Sequence, residues 1–255
     1  MKVTAVGRTD IGMKRNHNED NFLLVEDQSL FVVADGMGGH ACGEVASQMA
    51  VENLARFFKD TSENEETTWP FKEEKGLMYE ENRLVTAIKL ANLRIFESSS
   101  SDVKYRGMGT TVVGGLFSNG TVYIGHVGDS RAYRFRAGAL EQLTEDHSLL
   151  NDYIRANKLT PEEIEAFPHK NVIVRALGMK EGVQVDVSRL EPMPQDVYLF
   201  CSDGLSGPVS DQEIQEILAA NTGNLQEAAN ALIARANENG GPDNVTAVLV
   251  KVTES

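Results

Sequence analysis

The sequence predicts an α+β fold, a four-layer αββα sandwich in which two antiparallel β-sheets pack face to face between outer layers of antiparallel helices. Three observations predict it. Short apolar runs of strand character recur along the whole chain, about ten of them. Helical patterns are fewer and longer, and they gather in a few separate blocks instead of alternating with the strands. Two pairs of neighbouring strands are joined by two-residue turn signals, which only antiparallel pairs permit. Ten strands are too many for one comfortable open sheet, so two packed sheets are expected.

The elements follow in order. Lys2–Gly7 reads as the first strand; MKVTAVGRTDIG carries one lysine and no long apolar stretch, unlike a secretory leader. Strands at Phe22–Val25 and Leu30–Ala34 precede a helix over Glu44–Phe58. The acidic stretch Asp60–Lys75 reads as a surface loop or frayed helix end, pinned to the body by Trp69, the only tryptophan. A second helix spans Tyr79–Glu97, with Ser98–Ser101 read in the same way as the acidic stretch. Thr111–Phe117 and Thr121–Val127 flank Asn119-Gly120, a hairpin signal, and Ala132–Arg136 and Leu140–Leu143 flank Ala137-Gly138, another. Helical patterns over His147–Asn157 and Pro161–Phe167 lead to strands at Gln184–Val187 and Val197–Cys201. The last helices are expected over Asp211–Ala220, where Ser210 and Glu213 form a capping box, and over Asn224–Glu238. Val245–Val252 is the final strand. No repeat and no Pro/Gly linker divides residues 1–255, so the chain is read as one domain.

Composition narrows the function. With 38 acidic against 24 basic side chains the formal charge is −14, a field that repels nucleic acid and anionic membranes. No run reaches the roughly 18 apolar residues that span a bilayer. Two distant cysteines, Cys42 and Cys201, cannot form a disulfide scaffold and fit a reducing, cytoplasmic compartment.

The informative acids sit at the ends of apolar strands beside glycines. Asp35 and Gly36 follow Leu30–Ala34, Asp129 follows Thr121–Val127, Asp203 follows Val197–Cys201, Asp243 precedes Val245–Val252 and Glu19 precedes Phe22–Val25. Each loop taken singly is an ordinary turn, chosen for backbone geometry. In an antiparallel sandwich, however, the end of one strand lies beside the start of the next, so all five acids can converge on one rim. Clustered carboxylates need a cation or a shared proton, and an all-oxygen ligand set suits Mg²⁺ or Mn²⁺. The five histidines and two cysteines show no close-spaced zinc pair, and no EF-hand loop occurs. Six positions beyond Cys42 and Cys201 stand Gln48 and Gly207, so neither cysteine has the arginine that thiol-based phosphoester chemistry requires. Gly36–Gly43 lacks the Gly-Lys-Ser/Thr of a nucleotide-binding loop.

RNHNED, DGMGGHACGEVAS, GMGTT, GDSRAY, CSDGL and GGPDNVT stand in an order and spacing that resemble the type 2C, metal-dependent (PPM) serine/threonine protein phosphatases, most nearly their compact bacterial branch. The resemblance runs from Thr4 to about Val252. It implies hydrolysis of phosphoserine and phosphothreonine by a water bridging two Mn²⁺ or Mg²⁺ ions, which reverses Ser/Thr kinase signalling. It implies that Asp35 bridges both ions, Asp203 and Asp243 complete the first, the Gly36 carbonyl binds the second, and Glu19 reaches the second directly or through water. Arg15 is implied as the clamp on the substrate phosphate, and Asp129 with Asp203 as the acids for a third ion. Two metals about 4 Å apart lower the pKa of a bridging water and offset charge on the transferring phosphoryl group.

Animal members carry a proposed proton donor directly after the Asp-Gly pair. Met37 stands there in this chain, and the nearest histidine, His40, is the candidate general acid in competition with a turn-stabilising role. Residues 144–178 correspond to the family's flap, where Arg175 or His169 could touch substrate or simply lie on the surface. The implied partners are phosphorylated proteins, a Ser/Thr kinase and its targets, acted on by a monomer. A phosphatase dedicated to one partner, such as an anti-sigma antagonist, and a catalytically dead binding module are the competing readings.

Overall fold

The computed structural model describes residues 1–38, 42–63, 69–156, 159–160, 163–164, 167 and 172–254. The strands are β1 (Lys2–Asp10), β2 (Asp20–Val25), β3 (Leu30–Met37), β4 (Gly109–Thr110), β5 (Val112–Ser118), β6 (Thr121–Val127), β7 (Arg131–Arg136), β8 (Ala139–Gln142), β9 (Asp186–Leu190), β10 (Val197–Cys201) and β11 (Val245–Glu254). The helices are α1 (Gly43–Glu63), α2 (Tyr79–Ser101), α3 (Leu149–Arg155), α4 (Asp203–Ser206), α5 (Asp211–Ala220) and α6 (Leu225–Glu238).

One sheet has the order β1-β11-β10-β7-β8 and the other β2-β3-β5-β6-β9, with β4 attached to β3. The long apolar runs are explained by burial on both faces. Leu30 and Val32 of β3 face the helical layer of α1 and α2, among Leu54, Leu84 and Ile88. Phe31 and Val33, one residue out of phase, face the other sheet among Tyr198, Phe200 and Val248. β10 does the same in reverse: Val197, Leu199 and Cys201 meet Ile214 and Leu232 of α5 and α6. The two-residue strand period thus sends alternate side chains into different cores. The inter-sheet layer is closed by edge-to-face rings, Phe31 on Phe117 at 5.7 Å and Phe117 on Tyr198 at 5.3 Å.

Both hairpins form as expected, with positive φ at Asn119 and Gly120 and again at Ala137 and Gly138. The Ser210 hydroxyl accepts from the Glu213 N–H while Glu213 reaches back to Ser210, the reciprocal cap of α5. Trp69 packs on Phe57 at 5.9 Å and Tyr79 at 5.1 Å, which pins the segment as expected. Cys42 and Cys201 are both buried.

Several boundaries differ. β3 does not stop at Ala34 but runs through Met37, because Gly36 and Met37 pair with Thr110 and Gly109. Asp35 therefore lies within a strand and not after it. α1 runs on through Glu63, so the acidic stretch from Asp60 begins as helix, and Ser98–Ser101 is the last turn of α2. β9 is shifted to Asp186–Leu190 by its pairing with β6, His126 opposite Asp186 and Val122 opposite Leu190. α3 starts at Leu149 behind a Ser148 cap, since the His147 backbone N–H is committed to the Gly128 carbonyl. Most of the helix expected over Pro161–Phe167 lies outside the described residues, as do His40 and His169.

Candidate metal centre

The centre is built where four segments of different sheets meet. β2 and β3 place Asp20 directly opposite Asp35. The Asp35 main chain is held on its other side by Thr110 and Thr111. The Thr111 N–H donates to the Asp35 carbonyl at 2.9 Å, the Thr110 hydroxyl donates to the same carbonyl at 2.9 Å, and the Asp35 N–H donates to the Thr111 hydroxyl at 3.2 Å. Those three bonds give GMGTT its task. Gly36 follows where no side chain fits, since a Cβ would stand 2.2 Å from the Gly43 carbonyl oxygen and 2.4 Å from that of Glu19.

The second sheet supplies the rest. Asp203 opens α4 straight after β10, and Asp243 stands two residues before β11. Asn244 staples the loop that carries Arg15 and Glu19: its amide donates to the Ile11 and His17 carbonyls at 2.9 and 2.8 Å and its carbonyl accepts from the Glu19 N–H at 2.8 Å. Arg15, half exposed, places Nη2 2.6 Å from Asp243 Oδ2. Asp129 follows β6 and lies buried.

The electrostatics are those of crowded acids. Lost hydration pushes the Asp35 carboxyl well up, and Asp20, Asp203, Asp129 and Asp243 each push it further. Asp203 is raised by burial and by Asp243, and it hydrogen-bonds Asp35. Burial, then Asp203, raises Asp129 to about 7. Glu19 is raised by burial although the Gly43 N–H and Arg15 oppose the shift. Asp35, Asp129, Asp203 and Asp243 are thus one interacting group, with Glu19 coupled to it through Arg15 and Asp243. A cluster of this kind either shares protons or holds cations.

The residues fit hard divalent cations. All the converging donors are oxygens, and Asp129 Oδ1 is buried without a hydrogen-bond partner among the described residues, a lone pair left for a ligand. A cleft of about 670 Å³ opens beside them, walled by Asp129, Asp203 and Asp243 on one side and by Asp146, Ser148 and Asn151 of the flap segment on the other.

The sequence reading missed Asp20. It is fully enclosed, accepts hydrogen bonds from Ser202 Oγ at 2.8 Å and Thr246 Oγ1 at 2.6 Å, and is raised to about 7 by burial despite those bonds. Its neighbour Glu19 drew attention through its position before a strand. The signal for Asp20 was its place opposite Asp35, which needs the strand register. Arg131 was also missed; it grips both oxygens of Asp146 at 2.9 and 2.7 Å and so ties the Asp129 loop to the root of the flap.

Residues 12–249 match the protein phosphatase 2C family. The chain is 39% identical over 251 residues to the serine/threonine phosphatase stp of Listeria monocytogenes, covering 96% of this chain and 94% of that protein. It superposes on the crystal structure of the Mycobacterium tuberculosis serine/threonine phosphatase PstP/Ppp with a TM-score of 0.85 at 35% identity, covering 100% of both chains. A structure of the PstP catalytic domain in complex with two manganese ions aligns with a TM-score of 0.81 at 36% identity, covering 99% of both chains. With its fold, its motifs and nearly its whole length in common with these proteins, this chain belongs to the protein phosphatase 2C family.

Proposed function

We infer that this chain is a metal-dependent phosphatase that hydrolyses phosphoserine and phosphothreonine in proteins. The observation that carries the reading is the cluster of Asp35, Asp129, Asp203 and Asp243 beside the cleft, with Arg15 paired to Asp243. Asp35, Asp203, Asp243 and the Gly36 carbonyl would hold two Mn²⁺ or Mg²⁺ ions, with Glu19 as a further ligand and Asp129 as the acid for a third. When bound, such ions supply an activated water and charge neutralisation for phosphoryl transfer.

The protein's own groups do the rest. Asp20, held by two hydroxyls, fixes the strand opposite Asp35. Arg15, held beside Asp243 at 2.6 Å and half exposed, grips phosphate oxygens in a fixed orientation. The flap segment closes one wall, and its side chains meet the peptide that carries the phosphate. The partners are phosphorylated proteins, including a Ser/Thr kinase and its targets, and the enzyme works as a cytoplasmic monomer. No helix among the described residues is long and apolar enough to cross a membrane.

The test is phosphate release from a phosphothreonine peptide. It should need Mn²⁺ or Mg²⁺, stop on chelation, and fall by about 10³-fold in Asp203→Asn. Folded protein that releases no phosphate with any divalent cation would leave only a binding role. A panel of unrelated phosphopeptides then separates a broad enzyme from one dedicated to a single partner.

A further inference from the structure

Beside the acid cluster, and separate from it, lies a second polar group made of His126, His147, Arg175 and Asp186. His126 is the penultimate residue of β6 and His147 stands at the root of the flap. The two rings stack at 4.6 Å with 16° between their planes. The ligand atoms of His126, His147 and Asp186 lie within 4.8 Å of one another, which invites a metal. The hydrogen bonds argue against one. His147 Nδ1 accepts from the Gly128 N–H at 3.0 Å, so its proton sits on Nε2, facing Asp186 Oδ2 at 3.2 Å. The Arg175 guanidinium already fills the gap, 2.6 Å from Asp186 Oδ1. A protonated nitrogen and a fixed cation leave no room for another cation.

What this group does is visible from Gly128, the residue before Asp129. The His147 backbone N–H donates to the Gly128 carbonyl at 2.9 Å while its ring accepts from the Gly128 N–H, so one residue grips both sides of one glycine. Gly128 has φ +115, and a Cβ there would stand 2.6 Å from the Thr111 side chain, so the chain turns sharply between His147 and Thr111. Asp129 follows at once, and its buried Oδ1 has no hydrogen-bond partner among the described residues. Its direction is therefore set by the backbone that His147 holds.

We propose that His147 is a positioning residue that aims Asp129 at the third divalent cation, with Asp186 fixing the tautomer of its ring and Arg175, whose Nη1 lies 3.0 Å from His147 Nε2, holding Asp186 in place. The proposal rests on the reading of Asp129 as a ligand given above. Histidines that orient a ligand through a hydrogen bond are worth about 10–100-fold in metal affinity.

Calorimetric Mn²⁺ titration of the folded protein tests it without reference to turnover. Asp129→Asn should delete the weakest binding event and leave the tighter ones. His147→Gln, which loses the acceptor at the Nδ1 position, should weaken that same event at least about tenfold, whereas His147→Asn, whose amide oxygen sits near that position, should stay within about threefold of wild type. In the Asp129→Asn background His147→Gln should change nothing further. If His147→Gln does not fold, Asp186→Asn serves, since it releases the proton to Nδ1 and should cause the same selective loss. Unchanged Mn²⁺ binding in His147→Gln, equal losses in the Gln and Asn variants, or weakening of every ion alike would overturn the proposal. If Asp129→Asn itself binds as wild type, the ligand assignment fails first and the proposal falls with it.

Discussion

At the scale of single residues, the molecule places opposite demands on protonation at its enclosed acids and at His147. Asp20 and Asp129 are raised to about 7, above the ordinary 3.8 of an aspartate, chiefly by burial. Their contribution to stability is therefore complete below about 3.8 and is lost as pH rises through about 7. His147 is lowered from 6.5 to about 4, first by burial and then by His126. Its contribution is complete above about 6.5 and is lost as pH falls toward 4. Between pH 6.5 and 8 only the acids operate, so the metal-free protein should melt at lower temperature as pH rises across that window. Saturating Mn²⁺ should abolish the slope, because a cation takes the place of the shared protons. Differential scanning calorimetry at several pH values, with chelator and with Mn²⁺, checks this; equal slopes in both would sink it. Arg15 carries a second prediction. Arg15→Lys keeps the charge but loses the planar two-point grip, so kcat/KM toward a phosphopeptide should fall about tenfold with metal binding unchanged.

At the scale of elements, β3 and the turn at Gly36 are the most constrained parts. The strand carries Asp35 because Thr110 and Thr111 bond its backbone from one side and β2 pairs it from the other. The chain then passes between the Glu19 and Gly43 carbonyls with no space for a methyl group. Gly36→Ala should destabilise the protein by about 3 kcal/mol, the upper end for overpacking, because both obstructing atoms are backbone. Urea unfolding measures it, and a loss below about 0.5 kcal/mol would show that the turn can yield. Had β3 ended at Ala34, as its apolar run alone indicates, this constraint would be absent. The extension exists only because β4 comes from about seventy residues later to pair with it.

At the scale of the whole molecule, a net charge of −14 surrounds a site built to receive an anion. On the proposed function, the cations and Arg15 would attract the phosphate at short range while the surface repels acidic peptides at long range. Phosphopeptides with basic flanks should therefore be preferred over acidic ones at low salt. The preference should shrink as ionic strength rises and the screening length falls to about 8 Å near 0.15 M. A ratio of kcat/KM values that does not move with salt would place the selectivity in contacts with the flap. The sequence by itself determined the layers, because an apolar run buried on both faces and a two-residue turn signal are local statements about a strand and a hairpin. It also named Asp35, Asp129, Asp203 and Asp243 from their neighbouring glycines and apolar runs, although Asp35 stands inside β3 and not at its end. Only the tertiary structure decided that Asp20 stands opposite Asp35, that Asn244 staples the Arg15 loop, and that His147 grips Gly128. Those three facts depend on register and on contacts between residues distant in sequence, and no local pattern encodes which strand lies beside which.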